Sequence, residues 1–238
     1  MKQKPCLSFS ASRIMRACLA LGSFAVLCGC AGMRPPKAFP DLDGETSQDA
    51  LVVAKLGNGN YLPEFPKCKN LEVICMDPPP FWFRARVQDV VFGSLEQSRI
   101  IAATTSHYGM GPFVSYRGPE LLRLAVDGDA IVMLRYAYAD LHADKIGDLF
   151  VILRGPEPIW WLPCSAMDLI VDIDARQFAD DLMLPKEYVS QYEIEKAKDF
   201  LVRTDTGYLP RKGLPVAALK HHLDSEYAGQ KLPRCEPD

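Results

Sequence analysis

Histidine is scarce in this chain of 238 residues, with four copies at His107, His142, His221 and His222. None falls into a metal-ligand spacing such as His-Glu-x-x-His, so the sequence offers no metal site and no cofactor motif. A basic excess is lacking as well: 27 Lys and Arg stand against 30 Asp and Glu, without the positive stripe a nucleic-acid partner requires. No apolar run reaches the roughly 20 residues that cross a bilayer as a helix. Long amphipathic helices are missing between the apolar segments of the middle of the chain, which argues against alternating β and α units.

The first 29 residues have a character of their own. Lys2, Lys4, Arg13 and Arg16 occur with no acidic residue, and an apolar stretch from Ala17 to Leu27 follows, ending in small residues. A positive start and a short apolar run are the marks of a secretory signal peptide. Residues 1–29 are therefore expected to be a leader. Without it, 23 basic residues face 30 acidic ones, a net charge of −7. That balance argues against adhesion to anionic lipid by charge alone.

The segment Leu27-Cys28-Gly29-Cys30 resembles the lipobox of bacterial lipoproteins at its three informative positions, with Cys28 where Ala or Ser is usual. The resemblance implies lipidation at Cys30, cleavage before it and acylation of the new amino group, a membrane anchor through acyl chains such as palmitate. Two or three acyl chains make a stable anchor where one does not. In that family an Asp after the lipidated cysteine marks inner-membrane retention. Ala31 stands there, so the resemblance implies the outer membrane, facing the periplasm. The other reading is a simple secretory signal with Cys30 an ordinary thiol.

Beyond Cys30 the chain holds Cys68, Cys75, Cys164 and Cys235, an even number in an oxidising compartment, and two disulfides are expected. Three pairings are open. The favoured one joins Cys68 to Cys75 across a short polar segment and Cys164 to Cys235, tying the tail to the core. A reactive Cys164 is the alternative.

Residues 30–60 read as the lipidated cysteine and a flexible tether, rich in Pro, Gly and charge up to about residue 48. Leu51–Leu56 form a short strand or a turn of helix before a break at Gly57-Asn58-Gly59-Asn60. An antiparallel β domain is assigned to 61–175. Phe83–Gln88 alternates apolar and polar side chains, a half-buried strand with Arg84, Arg86 and Gln88 outward and a bulge near Asp89. Arg84 and Arg86 are either an anion-binding face or a solvated one. Arg99–Thr105 follows, then Leu121–Val126 and Ala130–Ala137 flank Asp127-Gly128-Asp129, a strong hairpin signal. Asp148–Leu153 and Ile159–Leu162 complete five or six strands, for which a small barrel removes the exposed edges.

Residues 75 to about 165, with Phe83-x-Ala85-x-Val87 running to Gly93 and a Gly-turned hairpin at Asp127-Gly128, resemble an OB-type or netrin-like barrel. The netrin-like cysteine pattern is not reproduced, and the resemblance implies a fold and no activity. The expected class is mainly β with C-terminal helices: a small antiparallel OB-like barrel or sandwich.

Residues 176–238 read as a helical extension packed on that domain, after a short solvated strand over Leu169–Asp174. One helix is expected over Lys186–Val202. A second, from Pro215, places Val216, Leu219, Leu223 and Tyr227 on one face and stops at Gly229. Among catalytic candidates only His107 stands out, on a Gly-rich loop after Thr104, Thr105 and Ser106. Three functions follow: a non-catalytic envelope binding or assembly module for a protein, peptide or glycan; an envelope hydrolase using His107; or a purely structural accessory protein.

Overall fold

The computed structural model describes residues 47–61, 80–104, 118–127, 131–138, 140–157 and 159–235, all within the second of the chain's two compact units, Met33–Asp238. Cys30, Cys68, Cys75 and His107 lie outside the described residues.

Five strands close into a barrel: β1 (Gln48–Tyr61), β2 (Phe81–Phe92), β3 (Arg99–Thr104), β4 (Glu120–Val126) and β5 (Ile131–Tyr138), in the order β1-β2-β3-β5-β4. Every pairing is antiparallel except β3 with β5, the parallel seam that closes an OB-like barrel. The period of two puts Val52, Ala54, Phe83, Ile100, Leu122 and Leu124 inside. Arg84, Arg86 and Gln88 are exposed, and β2 carries its irregularity where Val53 faces Asp89 and Ala54 faces Val87. The Asp-Gly signal correctly joins β4 to β5.

Two readings are corrected here. Gly57–Asn60 is no break: β1 runs through it to Tyr61, with an irregularity between Leu56 and Gly59. A side chain at Gly59 would lie 2.3 Å from the Trp82 carbonyl oxygen and 2.5 Å from the Phe83 ring. Glycine is there for close approach, not for a turn. The barrel accordingly begins at Gln48, inside the span assigned to the tether. Ile159–Leu162 is no strand but a turn, closed by the Leu162 amide donating to the Ile159 carbonyl at 2.7 Å. Prolines at 156, 158 and 163 flank it on both sides, and without amide donors of their own they keep a ladder from running through the segment.

Ala50–Ala54 of β1 and the whole of β4 are buried on both faces. Their outward side chains Leu51, Val53 and Leu121 join Leu141, Trp161, Leu214, Leu219 and Leu223 in a second core between barrel and extension. This explains why Ala50–Ala54 reads as a continuous apolar run and Leu121–Val126 as one broken only by Arg123, rather than as alternations.

The extension is less helical than expected. A sheet of β6 (Leu141–Ala143), β7 (Leu149–Leu153), β12 (Lys212–Pro215) and β8 (Val171–Asp172) is followed in space by a smaller one of β10 (Leu201–Arg203), β11 (Gly207–Pro210) and β9 (Leu184–Pro185). The helix expected over 186–202 shrinks to α1 (Gln191–Lys196), because Ser190 starts it afresh. Ser190 and Glu193 form a capping box, with the Glu193 amide donating to Ser190 Oγ at 3.2 Å and the Ser190 amide to Glu193 Oε2 at 2.8 Å. The second helix, α2 (Val216–Tyr227), lies as the pattern predicts, with Val216, Leu219 and Leu223 buried and Gly229 at φ 74° beyond its end.

Candidate functional site

The tail is strapped to the barrel by one buried cation. Arg123, on the outward face of β4, has only 5% of its side chain exposed and meets Asp49 of β1, itself 9% exposed, at 2.8 Å. Its guanidinium also donates to the carbonyls of Trp161 and Leu232, while the Leu232 amide donates to Asp49 Oδ2 at 3.1 Å. Three residues further on, the Cys235 amide donates to the Trp160 carbonyl at 2.8 Å, and Cys235 is disulfide-bonded to Cys164 across 71 residues. The favoured pairing for Cys164 and Cys235 is thus present, and a reactive Cys164 thiol is excluded.

This strap shapes an aromatic corner. Tyr136 stacks on Trp161 with ring centres 5.8 Å apart and meets the edge of Trp160 at 4.7 Å. Arg234 covers Tyr136 at 5.5 Å and Trp160 at 5.7 Å. Beside it opens a groove of about 440 Å³, between the 154–161 turn and the β9, α1 and β10 elements. Apolar side chains dominate its wall, among them Leu153, Ile159, Leu184, Val189 and Leu201, with Trp160 left 47% exposed.

Arg154 lines the same groove and is held from behind. Asp140 accepts from its guanidinium, at 3.1 Å for Nη2 and also from Nε, and Arg154 Nη1 donates to the Leu182 carbonyl at 3.0 Å. Asp140 in turn faces His142 Nε2 at 3.0 Å, and Asp180 faces His142 Nδ1 at 2.7 Å. A carboxylate at each ring nitrogen requires a proton on both. The hydrogen bond to Asp140 raises the His142 pKa; burial opposes it, and the bond to Asp180 adds to it. Burial raises Asp140, but the hydrogen bonds from His142 and Arg154 outweigh it and hold its carboxyl below the usual range. Tyr138, a further groove residue, donates to the Ile152 carbonyl at 3.1 Å. Burial and the Asp140 charge push its hydroxyl up to about 12 against the pull of Arg154, so it stays protonated.

Two other polar groups are notable. Ser165 Oγ lies 2.9 Å from His222 Nε2 and 3.1 Å from the Tyr227 hydroxyl. Among the described residues no carboxylate is recorded at His222 Nδ1 to orient the ring, so the pair lacks the third member of a hydrolase triad. Glu120, 2% exposed and on the interior face of β4 by its alternation with Leu122 and Leu124, has Oε1 without a hydrogen-bond partner. Burial pushes it up to about 7. Among the described residues no three His, Cys, Asp or Glu side chains are placed to hold a metal ion.

Sequence reasoning did not find Arg123, Asp49, Glu120 or the Asp140 and His142 pair. The last had a signal: Asp140-Leu141-His142 is polar, apolar, polar beside a strand, which puts both polar groups on one face. Fold and groove together define a small OB-like barrel protein with a strapped C-terminal extension. No protein-family model, no curated protein and no solved structure matches the chain.

Proposed function

We propose that this is a lipid-anchored envelope protein, held through Cys30, whose folded part is a non-catalytic binding module. The observation that carries the reading is the groove beside Trp160: about 440 Å³, apolar-walled, with one indole 47% exposed at its mouth. Pockets of this size and character hold ligands. Its wall favours an apolar peptide segment over a glycan. A sugar needs many polar groups turned toward it, whereas here polar side chains are the minority of the wall, Arg154 being engaged by Asp140 and Glu193 by Ser190, beside Glu157 and Lys196. The basic leader, the lipobox-like Leu27-Cys28-Gly29-Cys30 and the even cysteine count beyond it support an outer-membrane anchor facing the periplasm.

The test places a photo-crosslinking amino acid at position 160, in the groove, and at Glu226, on the exposed side of α2, in cells making the full chain. The reading expects a discrete partner crosslinked from position 160 and not from 226, lost on Val189→Arg, which fills the groove with charge. Equal crosslinking from both positions, or none from 160, overturns it.

A further inference from the structure

The charge of the chain is distributed unevenly. Residues 140–238 hold 18 acidic and 12 basic side chains, so nearly the whole acidic excess lies in the extension. Residues 48–138 hold nine of each. On the barrel the cations are gathered. Lys55 of β1 pairs in register with Arg86 of β2, and Arg86 with Arg99 of β3, so three cations stand side by side across three adjacent strands. Arg84 lies two residues from Arg86 on the same outward face, its guanidinium 5.6 Å from the centre of the Trp82 ring. All four are exposed, and among the described residues none is recorded in an ion pair.

Like charges directly opposite one another on a sheet are destabilising. The nearest acid on these strands, Asp89, does not relieve the row, because it is taken by Lys220 of α2 at 2.9 Å. Four cations in such an array match a surface of closely spaced anions better than one small ion, since the face is a sheet exterior with no cavity to enclose it. The chain itself brings such a surface near. From Cys30 to Gln48 there are 18 residues, which span at most about 60 Å when fully extended. A tethered domain therefore meets the membrane at high effective concentration.

We infer that the Lys55, Arg84, Arg86 and Arg99 face docks against the phosphate headgroups of the membrane that carries the protein, with the acidic extension turned away from it. The setting rests on the membrane-anchored reading above, but the surface is testable apart from it. A basic residue at an anionic lipid surface is worth about fivefold in affinity. The whole-chain net charge conceals this face, because the opposing acids sit on the extension.

The experiment uses the chain from residue 30 onward carrying Cys30→Ala, so that neither an acyl group nor the basic apolar leader contributes, with vesicles of phosphatidylcholine alone or mixed with phosphatidylglycerol. Wild-type barrel residues should give at least tenfold tighter binding to the anionic vesicles, weakening with salt. The variant K55Q/R84Q/R86Q/R99Q should lose that preference. The variant R84K/R86K/R99K should keep most of it, which separates charge from folding, and K198Q/K231Q on the extension should leave it unchanged. Equal binding to both vesicles, an unaffected fourfold variant, or equal loss from the extension variant overturns the inference. So does tighter binding to heparin than to anionic vesicles, which would make a soluble polyanion the partner. Failure of Cys30 lipidation would instead appear in the mass of the native protein and leave the vesicle result standing.

Discussion

Replacing Arg123 with alanine tests the strap that holds the extension. The guanidinium is 5% exposed and its partner Asp49 9%, so the pair is little screened by water. Removing one partner of such a buried pair costs about 3–5 kcal/mol, because the other charge remains uncompensated. The carbonyls of Trp161 and Leu232 lose their donor as well, each worth about 1 kcal/mol when left unsatisfied. The expected loss lies toward the upper end, about 4–5 kcal/mol, read as a shift in the urea midpoint with the disulfide intact. A double variant, Arg123→Met with Asp49→Leu, removes both charges and should recover much of the loss. Arg123→Ala within about 1 kcal/mol of wild type would refute the strap, since only an exposed pair is worth so little.

Glu120 should make stability fall as pH rises from 4.5 to about 7, because in that window the folded protein holds a proton that the unfolded chain releases. The total is about 3 kcal/mol, and Glu120→Gln should flatten the decline in urea midpoints across that range. His142 acts in the same sense at higher pH. Its contribution is complete below its ordinary value of 6.5 and is lost as pH rises through its higher folded value, so the His142 ring signals in NMR should titrate late, and Asp140→Asn should bring them back toward 6.5. If they titrate at 6.5 in the wild type, the two carboxylates do not hold the ring. Cys164→Ser opens a link spanning 71 residues and should cost about 4 kcal/mol in the chain-entropy model, seen as a lower urea midpoint and faster proteolysis after Leu232.

The barrel was legible where one rule governed the residues. Phe83–Gln88 alternates because one face of β2 meets the core and the other meets water, and Asp127-Gly128 joins two apolar runs. Reading failed where tertiary packing overrode the local signal. Gly59 resembles a turn residue, yet the Phe83 ring and the Trp82 carbonyl occupy the space its side chain would need. Ile159–Leu162 is apolar like a strand but forms a turn that buries Ile159, Trp161 and Leu162 in the second core and leaves Trp160 exposed. The helix expected over 186–202 ignored Ser190, whose capping box with Glu193 announces a fresh start. Of the site, cysteine parity announced disulfides without choosing among three pairings, and the Cys164 and Cys235 link was the favoured one, whereas the groove was not legible. Its wall combines residues 153–161 with 184–201, and nothing in either segment alone shows that they face one another. Arg123 was likewise hidden: a single cation within Leu121–Val126 looks like a strand's solvent face until the extension covers it.

The proposed tether to a membrane is tested most directly by the intact mass of the protein extracted from cell membranes. A chain beginning at Cys30, heavier than its 209 residues by a diacylglyceryl group and an N-terminal acyl chain, is the predicted result. A chain that retains residues 1–29, or that carries Cys30 as an unmodified thiol, would contradict it.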